Sequence, residues 1–339
     1  MIHFKRKIKY LRINPAKCAV IALVIVVFVY LWYRPDDRSP LRPRRLIESY
    51  RFGLRDSGHF LDTYLVVMIV TAPKNTLQRN TIRKTWLSQL DKQDRPYKEI
   101  RYWFVMGTKS LPEIDLSNVR KEQKENGDLL LLDDLEDSYD KLTMKLALMC
   151  EWAVKNWKFQ VLMKVDDDTF VRIDKILWEL KVNPYKSVEN LYWGYFYGKA
   201  HVKQSGPWKE TDWKLCDYYL PYARGGGYLL AYDLVQFVAR NWRMFQTYKS
   251  EDVTLGAWLA PLQLTRVHDT RFDTEYKSRG CSNRFIVSHK QSPQDMEDKH
   301  ASILSTDNLC KREFSSFHGY EYNWSVPPSQ CCVRSENIP

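Results

Sequence analysis

Three consecutive carboxylates, Asp166, Asp167 and Asp168, follow the apolar run Val161-Leu162-Met163 and the pair Lys164-Val165. The chain turns apolar again at Phe170-Val171. A short apolar run bounded in this way reads as a buried strand. That sets the acids at its C-terminal end, where open α/β sheets bind their ligands. Adjacent carboxylates repel one another, and core packing gives no reason to gather them there. A divalent cation does, because hard cations take oxygen ligands and cancel the repulsion. A solvated acidic turn is the plain alternative; apolar flanks on both sides favour a metal site.

Two further stretches carry chemistry. Glu251-Asp252 opens a helical pattern over 252–260, where the positive end of the helix dipole favours ionised acids; such acid pairs are also ordinary helix starts. Arg224-Gly225-Gly226-Gly227 implies either a backbone that approaches something closely or a loose surface loop. Trp208, Trp213, Tyr218, Tyr219 and Tyr222 precede it. Aromatic faces stack well on the apolar faces of sugar rings, and serve equally well as core.

The elements that must position these residues alternate. Thr63–Thr71, 101–106, 128–132 and the run before the acids read as strands; 76–86, 116–125 and 139–157 read as helices. Leu142, Leu146, Met149, Ala153 and Trp157 share one face of the last of these. Such alternation predicts an α/β domain with a mostly parallel sheet. The second half is less regular, with strands over 191–197 and 228–232 and helices over 233–242 and 252–260.

The formal charge of +11 suggests nucleic acid until it is located. Residues 1–45 hold eleven Lys/Arg against Asp36 and Asp37, a surplus of nine. The remaining 41 basic and 39 acidic residues nearly cancel. No nucleic-acid footprint is left on the main domain. Lys5, Arg6, Lys7, Lys9, Arg12 and Lys17 instead precede an unbroken apolar run over 18–33 that ends in Trp32-Tyr33. Basic residues before the run and aromatics at its end predict a cytoplasmic tail (1–17) and a transmembrane signal anchor (18–33). No small-residue cleavage site follows it. An Arg/Pro/Asp-rich stem (34–60) and a lumenal catalytic domain (61–339) complete the expected order. A span this short suits early secretory membranes, hence a Golgi, single-pass type II placement. Six cysteines lie beyond the anchor, in a compartment that permits disulfides: Cys150, Cys216, Cys281, Cys310, Cys331 and Cys332. One or more bridges is expected, with the pairing open. Asn323-Trp324-Ser325 is a glycosylation sequon.

Five segments together resemble the β-1,3-glycosyltransferases of glycosyltransferase family 31. Arg79-Asn80-Thr81-Ile82-Arg83-Lys84-Thr85-Trp86 is similar to R-x-x-I-R-x-T-W. Asp137-Ser138-Tyr139 with Leu142-Thr143 and Lys145 resembles D-x-Y-x-N-L-T-x-K, departing at Lys141, where the family usually has Asn. Asp166 to Val171 is similar to D-D-D-x-F-V, Pro221-Tyr222 with Gly225–Tyr228 to P-Y-x-x-G-x-G-Y, and Glu251-Asp252-Val253 with Gly256 to E-D-V-x-x-G. Three tail segments, 271–283, 289–293 and 327–332, resemble members that build the glycosaminoglycan linkage region. The resemblance implies a GT-A-like fold, a single Rossmann-like mixed sheet flanked by helices. It also implies a UDP-galactose donor, a manganese ion (Mn2+), inversion at the anomeric carbon, and a galactosyl-xylosyl proteoglycan acceptor.

Transfer from a nucleotide sugar needs charge neutralisation on the diphosphate and a base for the attacking hydroxyl. Asp168 is the expected principal metal ligand and Asp166 a direct or water-bridged one. His289 resembles the family's third ligand. Asp167 is assigned to the donor's ribose or galactose. Asp252 is the expected base, with Glu251 the alternative. Arg79, Arg83 and Lys145 are candidates for the nucleotide, and Tyr222, Gly226, Gly227 and Tyr228 for the acceptor. Transfer of N-acetylglucosamine or another hexose is the nearest rival reading. A membrane-anchored lectin is the rival from another class, though a lectin has no need of both a metal triplet and a base.

Overall fold

The computed structural model describes residues 62–90, 99–182, 189–206 and 208–339. The tail, anchor and stem expected over 1–60 lie outside them. No helix among the described residues is long and apolar enough to cross a membrane.

The four apolar runs of the first half become β1 (Leu65–Val70), β2 (Ile100–Gly107), β3 (Leu129–Leu132) and β4 (Val161–Asp166). All pair in parallel: β1 lies between β2 and β4, with Leu65↔Ile100 and Leu65↔Val161 in register. Helices α1 (Thr76–Lys84), α2 (Glu113–Asn126) and α3 (Leu142–Asn156) link them in turn. Leu65 to Ile69 and Val161 to Met163 are almost wholly buried. A strand covered on both faces reads as a continuous apolar run, not as an alternation. Helix α3 starts later than its periodicity suggests, because Tyr139–Lys141 form a 3-10 turn ahead of it.

After β5 (Phe170–Val171) and α4 (Ile173–Val182), β6 (Leu191–Tyr197), β7 (Tyr222–Ala231) and β8 (Thr265–His268) extend the sheet. Its order is β3-β2-β1-β4-β7-β6-β8. Only β7 runs antiparallel to its neighbours, β4 and β6. This is the mixed, helix-flanked sheet that was expected. The glycine run is not a loop: Arg224–Gly227 lie inside β7. Because β7 is reversed, its first residues sit at the end of the sheet where β4 finishes, with Val165 paired to Gly227. Helices α5 (Tyr232–Asn241) and α6 (Glu251–Leu259) follow β7.

Two-residue strands organise the tail. β9 (Phe272–Asp273) and β11 (Val287–Ser288) join β5 in a three-stranded sheet, and β10 (Gly280–Cys281) pairs with β12 (Phe314–Ser315). Helix α7 (Pro293–Thr306) lies between β11 and β12, and Ser292 and Asp295 form a capping box at its start. Of the six candidate cysteines, Cys281 bridges Cys310 and Cys331 bridges Cys332, while Cys150 and Cys216 are free. The first bridge closes a sequence separation of 29 residues. Loop-closure entropy for that length is worth about 3–4 kcal/mol. Replacing Cys281 and Cys310 together by Ala should lower the urea midpoint accordingly, while the same change at free Cys216 should leave it in place.

Candidate active site

Asp166 is the last residue of β4, and Asp168 lies in the turn before β5. Strand β11 pairs antiparallel with β5, Ser288 opposite Phe170, so the next residue, His289, returns beside the acids. The Gln291 amide donates to the Asp168 carbonyl at 2.8 Å and locks the approach. His289 Nε2 lies 2.9 Å from Asp168 Oδ1 and 3.4 Å from Asp166 Oδ2. The ligand atoms of the three residues all fall within 4.8 Å of one another. Nδ1 of this buried histidine has no partner, and Nε2 faces the two carboxylates without a well-aligned hydrogen bond to either. Buried polar groups without partners are rare, and a cation among the three satisfies Nε2 and both acids together. A donor set of two carboxylates and an imidazole therefore fits a divalent metal. Burial opposes a charge on the ring, but Asp166 and Asp168 outweigh it and raise the His289 pKa to about 9. Burial likewise opposes charge on both acids. Lys164 and His289 hold Asp166 well below the usual carboxylate range, and His289 does the same for Asp168.

Gly226 makes this approach possible, since a Cβ there would sit 2.5 Å from the His289 ring. On Gly225 a Cβ would sit 3.3 Å from Asp252 Oδ2. The close-approach reading of the glycines is the one the structure supports.

Asp252 and Glu251 open α6 and differ in what holds them. Asp252 accepts from the Gly225 amide on Oδ2 and from the Val253 amide on Oδ1, each at 2.9 Å. Burial raises its pKa against Lys164 and those amides. Glu251 has both oxygens engaged by side chains, one by the Tyr228 hydroxyl and one by Lys164 Nζ at 3.3 Å. Burial pushes Glu251 up to about 7, with Lys164 opposing. A carboxyl raised in the fold loses stability as pH climbs from its unfolded value, 4.5, through 7, because the native state binds the extra proton. Glu251→Gln should flatten the fall in melting temperature across that window.

Lys164 is a further residue of the site, and a lysine inside a buried apolar run is the signal for it in the sequence. It is 4% exposed. Its ammonium donates to Asp166 Oδ1 and to the Gly225 carbonyl, each at 2.7 Å, besides facing Glu251. Gly225 thus offers its carbonyl to the lysine and its amide to Asp252, joining the two acid clusters through one residue.

Other expected residues lie elsewhere. Asp167 turns away from the cluster and accepts from Thr71 Oγ1 and Asn75 Nδ2. Arg79 has no exposed surface, and its guanidinium bonds Glu122, the Ala72 and Pro73 carbonyls and Thr76. Arg83 is forked onto Asp128 and Glu122. Lys145, 1% exposed, bonds Asp137 and the Thr71 carbonyl. These three cations are engaged within the fold, tying the residues after β1 to α2 and to Asp128 and Asp137 on either side of β3. Tyr228 is fully buried under Glu251, and a Cβ on Gly227 would meet Val287 at 3.0 Å. Neither is among the residues that line the cavity described next. Tyr222, Gly225 and Gly226 do line a cavity of about 430 Å³, together with Asp166, Asp252 and His289. Asn323 is exposed, its side-chain oxygen accepting from the Ser325 amide and hydroxyl.

Two acids and a histidine that could hold a cation, beside a cavity that Asp166, His289 and the backbone-held Asp252 line together, suit a group transferase. Comparison with known proteins narrows the class. Residues 77–270 match the Galactosyltransferase family model. The chain is 44% identical over 276 residues to beta-1,3-galactosyltransferase 6 of Mus musculus, covering 81% of this chain and 84% of that protein. It is 29% identical to hydroxyproline O-galactosyltransferase GALT6 of Arabidopsis thaliana over 77% of this chain and 38% of that protein. A mannosyltransferase structure from Pyrobaculum calidifontis matches at 13% identity and a TM-score of 0.35, covering 75% of this chain and 66% of that one, too distant to bear on function. The chain belongs to the β-1,3-galactosyltransferase family of enzymes.

Proposed function

We propose that the protein transfers galactose from UDP-galactose, with inversion and in the presence of Mn2+, to the 3-hydroxyl of a terminal β-galactose. The acceptor in this reading is the galactosyl-xylosyl core on proteoglycan serines, and the placement a Golgi membrane with the catalytic domain lumenal. The observation that carries it is the shared cavity, which Asp166, His289 and Asp252 line together. Likeness to the mouse β-1,3-galactosyltransferase supports the donor and linkage. The basic N-terminus, the apolar run over 18–33 and the exposed sequon at Asn323 support the lumenal placement.

Asp166, Asp168 and His289 would hold the metal, which when bound neutralises the charge of the departing diphosphate. Lys164 keeps one oxygen of Asp166 occupied and leaves the other facing His289. Asp252 takes the proton of the acceptor 3-hydroxyl as its oxygen bonds the anomeric carbon and the bond to UDP breaks. Two backbone amides fix the orientation of Asp252, and its raised pKa suits it to receive a proton. Glu251, engaged on both oxygens, holds Lys164 and Tyr228 in place.

The test offers the protein UDP-galactose, UDP-N-acetylglucosamine and UDP-glucose with Mn2+, against a galactosyl-xyloside and unrelated galactosides. Turnover with UDP-galactose and a β-1,3 product by NMR are expected. Preference for another donor, or binding of galactosides with no UDP release, would reject the reading.

A further inference from the structure

The same cavity is lined by residues to which the transfer reaction assigns no role. Trp208, from the connection between β6 and β7, and Tyr276, just after β9, meet edge to face with ring centroids 5.2 Å apart. The two rings make a corner, and both line the cavity with Asp252. Tyr276 is 62% exposed, so core packing does not explain the pair. Tyr139, at the start of α3's 3-10 turn, makes a polar contact with the Trp208 side chain and braces it.

The polar wall beside this corner is built, and two of its buried polar atoms are without partners. Thr274 lines the cavity and is 3% exposed, and its buried hydroxyl has no hydrogen-bond partner. Arg224 Nε is buried and likewise without a hydrogen bond. Glu275, 4% exposed, is held by a two-pronged bond from Arg334 at 3.0 and 2.7 Å. Flat apolar faces next to oriented hydroxyl, guanidinium and carboxylate groups match a pyranose, apolar on its C–H face and rimmed by hydroxyls.

Building on the acceptor reading above, we infer that the corner of Trp208 and Tyr276, with Thr274, Arg224 and Glu275, is a second acceptor subsite. It holds the sugar adjacent to the reacting galactose. The enzyme thereby selects β-linked disaccharide ends over a lone galactoside.

Trp208→Ala and Tyr276→Ala are compared with the wild type on a methyl galactosyl-xyloside and on methyl β-galactoside. On the disaccharide, kcat/KM should fall about 10- to 100-fold, the loss residing in KM. On the monosaccharide it should change less than about twofold, with the UDP-galactose KM unaltered. Trp208→Phe, which keeps a flat ring, should retain most of the disaccharide preference. An equal proportional loss on both acceptors, or no loss on the disaccharide, overturns the subsite. A wild type that transfers to neither galactoside rejects the acceptor reading, and the subsite with it. A wild type that uses both acceptors equally overturns the subsite alone.

Discussion

Replacing Asp252 by Asn should lower kcat for transfer by about 10²- to 10⁴-fold, the range lost when a positioned base is removed. Affinity for UDP in the presence of Mn2+ should stay within about twofold. Asn has the same size and still offers an oxygen to the Gly225 or the Val253 amide, the two groups that hold Asp252. The turn into α6 therefore survives. What disappears is the capacity to take a proton. Steady-state kinetics paired with calorimetric UDP binding separates the two effects. Complete loss of UDP affinity in this variant would place Asp252 on the donor side and overturn its assignment.

Asp168→Ala should act on the opposite half. Perturbing groups that merely support a metal ligand costs about 10- to 100-fold in metal affinity, so removing a ligand should cost at least about 100-fold. UDP binding should lose its dependence on Mn2+, and transfer should fall by a similar factor or more. The backbone bond from Gln291 to the Asp168 carbonyl is untouched by the change, which keeps His289 beside the acids. A pH series adds a second readout. The metal-free His289 ring is held protonated up to about 9, so a cation must displace that proton at lower pH. Apparent Mn2+ affinity of the wild type should therefore rise with pH up to about 9 and then level off. Donor affinity in Asp168→Ala that still responds to Mn2+ as in the wild type would remove Asp168 from the metal site.

The parts legible in the sequence are those with long, uninterrupted signals. Strands β1 and β4 are apolar runs, so the acid turn at the end of β4 could be placed from composition alone. Glu251-Asp252 could be placed at a helix start in the same way. His289 could not be placed so, because β5, β9 and β11, which carry it to the acids, are two residues each and too short to show a period; its expected role came from the motif. Arg79, Arg83 and Lys145 misled for a different reason. A cation near a motif looks available, and only the fold reveals that Glu122, Asp128 and Asp137 already engage it. Tyr228 was misread likewise, because an aromatic beside glycines gives no sign of which side of the sheet it occupies. Lys164 has no such period or motif to mark it; its role comes from Asp166, Glu251 and the Gly225 carbonyl, which only the fold brings around it.

The reversed β7 has one more consequence. Donor-side and acceptor-side groups descend from two strands that are hydrogen-bonded neighbours, with Val165 opposite Gly227, so the catalytic frame tolerates no slip of register. Trp208, by contrast, hangs on the long excursion between β6 and β7, outside any strand of the sheet. Changes confined to the stretch around Trp208 would retune which glycan is extended, while Ala200, Trp213 and Tyr219 of the same excursion stay packed with Val253, next to Asp252, and keep the base in place.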